Sequence, residues 1–227
     1  RPRAFNLAGH QLGVIIPALN EGTTIAAIVA AAGRYGVVIV VNDGSTDDTA
    51  EQAQSAGAVV VSNQHSTGYE PAIEAGFQEA EKRGLYAAVT LDADGEHDPI
   101  ILAEFRKHLI DEDVALVIGR RCRPQRFAEW VMGHYCRRQF AIRDVLCGMK
   151  GYHMRLYVEN SGFDHWRSVG TELAVASILR GCEFREVDVV GKSRQGKPRY
   201  GGALRANLKI LGALYRLIRL KDQVSTV

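Results

Sequence analysis

The chain has 227 residues, 46% hydrophobic and 24% charged, a composition typical of a soluble globular domain with a sizeable core. No apolar run approaches the roughly 18–20 residues of a membrane span and no basic, apolar leader opens the sequence, so we expect neither a membrane-spanning nor a secreted protein. The net charge of +2 hides an asymmetry: residues 1–120 carry 8 Lys and Arg against 17 Asp and Glu, whereas residues 121–227 carry 20 Lys and Arg against 9 Asp and Glu. The basic half is poor in aromatic residues and shows no nucleic-acid recognition motif, which argues against nucleic-acid binding.

The first 120 residues alternate short apolar runs with stretches of helical periodicity. The runs are rich in Val, Ile and Ala without polar alternation, which is typical of parallel strands covered on both faces. They predict strands at 13–16, 37–41, 58–61, 87–91 and 114–118, with helices between them at 24–32, 48–56, 71–82 and 99–109. Two helix starts carry signals: Ser45 and Thr46 before an acidic pair, and Asp98 before Pro99. The alternation predicts a Rossmann-like α/β fold with a mainly parallel central sheet and helices on both faces.

After residue 120 the alternation ends. We predict a polar, basic loop at 120–126, a helix at 127–140, and strands at 150–153 and 183–190 on either side of a helix at 172–180. Residues 191–202 are rich in Gly and basic residues, which predicts a flexible anion-binding loop. The chain closes with a helix near 204–220. One of its faces is apolar and consists of Leu204, Leu208, Leu211, Tyr215 and Ile218.

Acidic side chains directly follow three of the predicted strands. They stand in the segments IIPALNE, VVNDGS and TLDADGE, where they include Asp43, Asp92 and Asp94. Ligands of doubly wound sheets bind outside the carboxyl ends of the strands, where these side chains should meet. Clustered carboxylates repel unless a cation compensates them, and Mg²⁺ and Mn²⁺ prefer oxygen ligands. The sequence therefore predicts a divalent metal carrying a diphosphate at this edge of the sheet.

The segments IIPALNE, VVNDGSTDDT, TLDADGEHDP and DVLCGMKGY follow one another between residues 13 and 199. Together they resemble family 2 of the inverting glycosyltransferases, which has the GT-A fold, and are nearest to its dolichyl-phosphate mannose synthase-like, or polyprenyl-phosphate glycosyltransferase, branch. We expect one domain, 1–227, with a nucleotide-sugar-binding half at 11–120, an acceptor half and basic loop at 121–202, and an amphipathic C-terminal helix at 203–221. The resemblance implies metal-dependent transfer of a sugar from a nucleoside-diphosphate sugar, with inversion.

The resemblance also assigns roles to single residues. The donor would be bound by Pro17, Leu19, Glu21, Val41, Asp43, Asp92, Ala93, Asp94 and Arg199. Asp94 and Glu96 would ligate Mg²⁺ or Mn²⁺, which bridges the diphosphate. Arg121 and Arg194 would meet the charge that grows on the departing diphosphate. The chain departs from the family pattern where Glu96 replaces the usual Gln, where residues 68–71 replace a Gly- and Ala-rich segment, and where Pro198 replaces a Ser.

Two acceptors remain open. A polyprenyl phosphate is already an anion, whereas a hydroxyl of a small molecule needs a base to take its proton. Glu172 is the candidate base, or else a first-turn glutamate that complements the helix dipole. Asp144 either contacts the acceptor as a catalytic residue or caps a turn.

The terminal helix bears on the same choice. A lipid acceptor would call for peripheral membrane contact, which this helix could make with its basic residues toward anionic headgroups. Those residues are Arg205, Lys209, Arg216 and Arg219. In the competing interpretation, the leucine face packs on the sheet and the arginines face water.

Other classes of protein fit less well. A sugar-1-phosphate nucleotidyltransferase or a nicotinamide oxidoreductase needs a Gly-rich loop after the first strand, where Ile16-Pro17-Ala18-Leu19-Asn20 stands instead. A non-catalytic, sugar-nucleotide-binding protein stays open. The four cysteines show no CxxC spacing, so we expect free thiols and a cytoplasmic location.

Overall fold

The computed structural model describes residues 11–121, 127–165, 168, 170–190 and 203–224. Within them seven strands form one sheet: β1 Leu12–Ala18, β2 Val37–Asp43, β3 Val59–Asn63, β4 Ala87–Thr90, β5 Leu116–Arg121, β6 Lys150–His153 and β7 Phe184–Val189. Their order across the sheet is β3-β2-β1-β4-β6-β5-β7. Every residue of β1 is buried, as expected for a strand covered on both faces.

Helices cover both faces of the sheet, which confirms the predicted α/β architecture. They are α1 Ile25–Ala32, α2 Thr49–Ser55, α3 Tyr69–Lys82, α4 Leu102–Arg106, α5 Phe127–Phe140, α6 Met154–Asn160, α7 Glu172–Leu179 and α8 Ala203–Val224. A 3₁₀ turn at Pro99–Ile101 precedes α4, and a π-helical turn at Lys107–Asp111 follows it. Buried side chains of α1, α2 and α4 form the core on one face, and those of α3, α5, α6, α7 and α8 form the core on the other.

The strand directions differ from the prediction at one place. β1 runs parallel to β2 and β4, β2 to β3, and β5 to β7, but β6 is antiparallel to both of its neighbours, β4 and β5. Because of this reversal, β6 begins at the edge of the sheet where β1, β2, β4 and β5 end. The segment before β6 therefore reaches the same edge, which periodicity could not indicate.

The helix boundaries agree with the predictions except where tertiary contacts intervene. Asp98 caps its turn as predicted, since its carboxylate accepts a hydrogen bond from the Ile100 N–H at 3.1 Å. Ser45 and Thr46 do not start α2. They bond instead to Asn20 in the loop after β1, at 3.0 Å and 2.9 Å, and α2 begins at Thr49.

Two further differences concern α6 and α3. Helix α6 was not predicted. It follows β6 without a turn and buries Met154, Leu156 and Tyr157, so no polar break separates its apolar residues from those of the strand. Helix α3 begins at Tyr69, ahead of the predicted start at residue 71. In the predicted loop at 120–126, Arg120 and Arg121 end β5 and residues 122–126 lie outside the described part of the chain.

Candidate functional site

A cavity of about 420 Å³ opens at the carboxyl ends of β1, β2, β4 and β5. β1 has β2 on one side and β4 on the other, so the cavity lies where the strand order reverses, the usual ligand position of open α/β sheets. The predicted site residues that line it are Pro17, Leu19, Asp43, Asp92, Ala93, Asp94, Glu96 and Arg121. The structure therefore brings together the carboxylates that follow β2 and β4.

Asp43 organises the wall of the cavity beside β3. Its carboxylate accepts hydrogen bonds from the backbone N–H groups of Thr67 and Gly68, each at 2.9 Å, and from the side chains of Asn63 and Ser66, also at 2.9 Å. Burial acts to raise the pKa of Asp43, but these hydrogen bonds outweigh it and lower the pKa to about 2. Asp43 is therefore ionised at neutral pH and holds the 63–68 segment in place.

The segment after β4 forms a tight turn that presents two carboxylates. Asp94 accepts a hydrogen bond from the Glu96 N–H at 3.0 Å, and Gly95 between them has φ of +71°, a backbone conformation that favours glycine. Thr24, just before α1, donates its hydroxyl to the Ala93 carbonyl at 3.0 Å. Asp94 and Glu96 are partly exposed and line the cavity, as metal ligands must be.

Asp92 lies deeper and is closely approached by the segment before β6. A Cβ on Gly148 would lie 2.8 Å from Oδ2 of Asp92 and 3.4 Å from the hydroxyl of Tyr69. Burial raises the pKa of Asp92, and the nearby charges of Asp94 and Glu96 raise it further. Tyr69 and Gly148 both line the cavity, and neither was predicted to be a site residue.

Lys150 is a third residue of the cavity wall that was not predicted from the sequence. Its side chain is 3% exposed and lines the cavity, and its ammonium donates a hydrogen bond to the Cys147 carbonyl at 2.6 Å. Burial lowers its pKa, against the attraction of Asp144 and Asp92. The sequence did offer a signal for this residue, because Lys150 is the first residue of a predicted buried strand and a lysine is rarely buried without partners.

His97 also forms part of this wall. It is 4% exposed, and its Nδ1 has no hydrogen-bond partner in the described part of the chain. Such buried, unsatisfied atoms are rare in folded proteins.

Arg121 is held by two acids. Its Nε and Nη2 donate to the Asp144 carboxylate at 2.8 Å and 2.9 Å, its backbone N–H donates to the same group at 3.0 Å, and Glu129 lies 3.5 Å from Nη2. Burial acts to raise the pKa of Asp144, but the bonds and charge of Arg121 lower it below its ordinary value. Asp144 lies outside the described lining of the cavity but lines a neighbouring groove, so a contact with the acceptor stays a prediction. Asp144 also begins a turn, since its carbonyl accepts a hydrogen bond from the Cys147 N–H at 3.4 Å. It orients Arg121, which does line the cavity.

Glu172 lies at the start of α7, beside His165. It is 5% exposed, and its carboxylate accepts a hydrogen bond from His165 Nδ1 at 3.0 Å. Among the described residues that line the cavity, Gly170 is present and Glu172 is not. Its place in the first turn of α7 agrees with the alternative interpretation, a glutamate that complements the helix dipole.

Two predicted donor-binding residues do not line the cavity either. Val41 is fully buried in the core beneath the site. An oxygen of the Glu21 carboxylate lies 3.1 Å from the Thr24 hydroxyl, and the Glu21 backbone N–H donates to Thr49 Oγ1 at 2.9 Å. Glu21 thus links the starts of α1 and α2. The predicted loop at 191–202, with Arg194 and Arg199, lies outside the described residues.

Helix α8 contributes to the cavity in an unexpected way. Lys209 and Ile210 line it, and the Lys209 ammonium donates to Oε1 of Glu70 in α3 at 2.6 Å. The prediction that Lys209 faces lipid headgroups is therefore wrong. The side chain of Arg205 lies outside the described residues.

The buried face of α8 consists of Ile210, Ala213 and Leu217. The predicted leucine face points outward instead, with Leu208 62%, Leu211 42%, Tyr215 56% and Ile218 37% exposed. The interpretation in which this face packs on the sheet is thus wrong. Small Ala213 at the centre of the buried face lets α8 approach its neighbours, and sequence reasoning overlooked it because larger residues dominate the other stripe.

Three further properties bear on the predictions. No group of three or more His, Cys, Asp or Glu in the described part of the chain is arranged to hold a metal ion by itself. None of the described helices combines the length and the apolarity that crossing a bilayer requires. Cys136, Cys147 and Cys182 are free thiols, as predicted, and Cys122 is not described.

Comparisons with known proteins agree with this geometry. The model of the family described as Glycosyl transferase family 2 matches residues 13–157. An uncharacterized glycosyltransferase of Mycobacterium tuberculosis is 29% identical over 233 residues, which cover 93% of this chain and 100% of that protein. A UDP-N-acetylglucosamine–dolichyl-phosphate N-acetylglucosaminyltransferase of Methanococcus voltae is 28% identical over 141 residues, covering 53% of this chain and 56% of that protein.

The fold also matches a solved structure. The crystal structure of glucosyl-3-phosphoglycerate synthase from Mycobacterium tuberculosis, in complex with Mn²⁺, uridine diphosphate and phosphoglyceric acid, gives a TM-score of 0.70 at 18% identity. The match covers 92% of this chain and 79% of that one. This likeness shows the fold and confirms the architecture expected from the sequence.

Proposed function

Because the chain belongs to glycosyl transferase family 2, we propose that this glycosyltransferase uses a nucleoside-diphosphate sugar and a divalent metal and inverts the anomeric centre. The observation that carries the proposal is the convergence of Asp43, Asp92, Asp94 and Arg121 on one cavity at the switch point of the sheet. The fold neighbour bound to Mn²⁺ and uridine diphosphate supports the same donor chemistry.

The donor would lie across the cavity from β2 toward β5. The nucleoside would contact Pro17 and Leu19, which line the cavity at the end of β1, beside the loop that Asp43 holds. The diphosphate would then lie near Asp94 and Glu96, within reach of Arg121. Anions are stabilised by cations whose positions are fixed before the reaction, and the bonds of Asp144 fix Arg121 in this way.

Asp94 and Glu96 would hold Mg²⁺ or Mn²⁺. Magnesium in phosphate-transfer sites is usually bound by one or two carboxylates together with substrate phosphates. The two carboxylates in the cavity lining match that mode of binding, in which the protein does not supply every ligand of the metal. When bound, the metal would supply Lewis-acid stabilisation of the diphosphate. Arg121 would meet the charge that grows on the same leaving group as the bond from the anomeric carbon to the diphosphate oxygen breaks.

For the acceptor we propose a polyprenyl phosphate, reached by peripheral contact with a membrane. A phosphate oxygen can attack the anomeric carbon without losing a proton, so no base is needed. Glu172 pairs with His165 and is not among the described residues that line the cavity, which supports an acceptor that needs no base. The relative from Methanococcus voltae, whose name specifies dolichyl phosphate, supports the same acceptor class.

Release of nucleoside diphosphate from UDP-, GDP- and dTDP-sugars with Mn²⁺ tests the donor and the metal. We expect turnover with one of these donors, loss of turnover in EDTA, and loss in Asp94→Ala, because the metal would lack a ligand. Asp111→Ala is the matched control, since Asp111 is exposed and lies outside the cavity lining. Full activity of Asp94→Ala, or indifference to EDTA, would overturn the site; metal-dependent binding without any turnover would identify a sugar-nucleotide-binding protein.

The acceptor is tested with a short-chain, water-soluble polyprenyl phosphate, the corresponding alcohol, and phosphoglyceric acid. We expect transfer to the polyprenyl phosphate alone, with turnover preserved in Glu172→Gln. Transfer to the alcohol or to phosphoglyceric acid that collapses in Glu172→Gln would establish the hydroxyl acceptor instead.

A further inference from the structure

Exposed large apolar side chains are concentrated on α5 and α8. Six of the nine in the described part of the chain lie there: Phe127, Trp130, Leu208, Leu211, Tyr215 and Ile218. Phe127 is 74% and Trp130 57% exposed, although aromatic side chains of this size are usually largely buried. Exposed apolar side chains that are concentrated on two neighbouring helices commonly mark a contact with another body.

The two helices present this surface on one side of the molecule. They lie next to each other and run in the same direction, since the Ala128 N–H donates to Oδ1 of Asn207 at 3.3 Å near their starts and Lys221 bonds to Gln139 near their ends. Their buried faces enter the same hydrophobic core. Because the inner faces of α5 and α8 pack against the same core, the outer faces of both helices lie on the side of the molecule away from the sheet.

The exposed charges on the described residues of these two helices have one sign. Arg137 and Arg138 of α5 and Arg216 and Arg219 of α8 are exposed, and no exposed acidic side chain occurs among the described residues of either helix. The Arg219 guanidinium lies over the ring of Tyr215, 5.2 Å from its centroid. A second copy of the chain on this face would bring like charges together, whereas an anionic surface would attract them.

We propose that the exposed faces of α5 and α8 form a docking surface for an anionic lipid bilayer. The inference rests on the proposed lipid acceptor and identifies the part of the protein that meets the membrane. Leucines and aromatic rings on one side with arginines at the border are typical of helices that lie in the bilayer interface. The rings of Phe127, Trp130 and His134 stack in a row, with centroid distances of 6.0 Å and 5.9 Å, and Trp is enriched at that depth.

This surface connects with the site. Trp130 and His134 line a second groove of about 910 Å³, whose lining includes Arg121, Glu129 and Leu146. Those three residues also line the donor cavity. A headgroup that leaves the bilayer beside Trp130 can therefore follow this groove to Arg121 while its chain stays in the lipid.

Co-sedimentation with phosphatidylcholine vesicles, with and without phosphatidylglycerol, tests the surface. We expect binding only with the anionic lipid, and its loss at about 1 M salt, where the screening length falls to roughly 3 Å. Arg216→Glu with Arg219→Glu should weaken binding by about fivefold for each arginine lost. Leu208→Ser with Leu211→Ser should weaken vesicle binding by about tenfold or more, because each leucine would bury apolar surface in the bilayer interface.

Two matched controls lie away from the surface. Val158→Ser removes an exposed apolar side chain from α6, and Arg34→Glu reverses an exposed charge beyond the end of α1 on the opposite face of the sheet. We expect both to bind vesicles like the wild type. Wild-type protein that ignores anionic vesicles, or α8 variants that bind like the controls, would overturn the docking surface. Dimers in sedimentation velocity that Leu208→Ser with Leu211→Ser dissociates would assign the face to a second copy and would also overturn it.

The same variants separate this inference from the proposed function. All of them should transfer sugar to a water-soluble, short-chain acceptor at the wild-type rate, since none changes the cavity. Wild-type protein that binds anionic vesicles through α8 but transfers no sugar to any polyprenyl phosphate would leave the docking surface standing and refute the proposed acceptor.

Discussion

At the scale of single residues, the site depends on groups that hold the candidate ligands in place. Asp43 is fixed by the loop after β3, Asp144 fixes Arg121, and Gly148 leaves room for Asp92. These residues explain why the predicted carboxylates and arginine can face a ligand in defined directions. Preorganised groups of this kind account for much of catalytic rate enhancement.

Gly148→Ala tests the contact with Asp92. The new methyl group would lie 2.8 Å from a carboxylate oxygen, so Asp92 or the segment before β6 must move. Because a displacement of ~1 Å in a site can cost up to about a hundredfold in rate, we expect kcat/KM for the donor to fall by ten- to a hundredfold. Gly133→Ala is the control, since its Cβ would meet only the Arg143 carbonyl, at an ordinary 3.7 Å. Unchanged donor kinetics in Gly148→Ala would show that Asp92 does not contact the donor.

Asp144→Asn tests whether Asp144 acts through Arg121. The substitution keeps the shape but removes the charge that holds the guanidinium. We expect kcat to fall by about tenfold or more with little change in donor KM, because the affected charge is that of the leaving group. In a double-mutant cycle with Arg121→Lys, the two losses should be strongly non-additive. Additive losses would assign Asp144 a role of its own.

At the scale of secondary-structure elements, the start of α7 carries a half-buried pair, His165 and Glu172. His165 Nδ1 lies 3.0 Å from the Glu172 carboxylate and Nε2 lies 3.0 Å from the Ser161 carbonyl. Both partners are hydrogen-bond acceptors, so this geometry favours the doubly protonated, cationic imidazole. The bond to Glu172 raises the pKa of His165 above its ordinary value of 6.5.

This pair predicts a pH-dependent stability. A group whose pKa is raised by folding stabilises the protein fully below its unfolded-state pKa, and the contribution disappears as pH rises through the folded-state pKa. His165→Gln should therefore lower the free energy of unfolding near pH 6 and have little effect at about pH 9. Urea denaturation across this range measures the difference. The same substitution in a Glu172→Gln background should show no such trend, and a trend that persists there would exclude the pair as its cause.

At the scale of the whole molecule, the cavity joins distant parts of the chain. Its wall includes the ends of β1, β2, β4 and β5, the start of β6, and Lys209 of α8, which bonds to Glu70 of α3. A ligand that fills it contacts both the acidic and the basic half of the sequence. Binding should therefore stabilise the fold as a unit.

A thermal-shift experiment measures this coupling. At a hundredfold excess over its dissociation constant, a ligand stabilises the folded state by about 2.7 kcal/mol, which for a chain of this length raises Tm by roughly 5–10 °C. We expect that shift for the correct sugar nucleotide with Mn²⁺, and a smaller one without the metal. Asp94→Ala should remove the difference between the two conditions. An equal shift with and without Mn²⁺ in the wild type would contradict a metal that bridges protein and diphosphate.

The sequence by itself determined the parallel strands β1 to β5, most helices and the carboxylates at their ends. These features follow from local periodicity and from the rule that ligands bind at the carboxyl edge of such a sheet. Only the tertiary structure decided the roles of Lys150, Gly148 and Asp144, because they reach the site through the reversed direction of β6, which depends on pairing with β4 and β5. Only it decided the orientation of α8. Two stripes of that helix are apolar, and the face that is buried is the one whose small Ala213 fits against the core, not the one with more leucine.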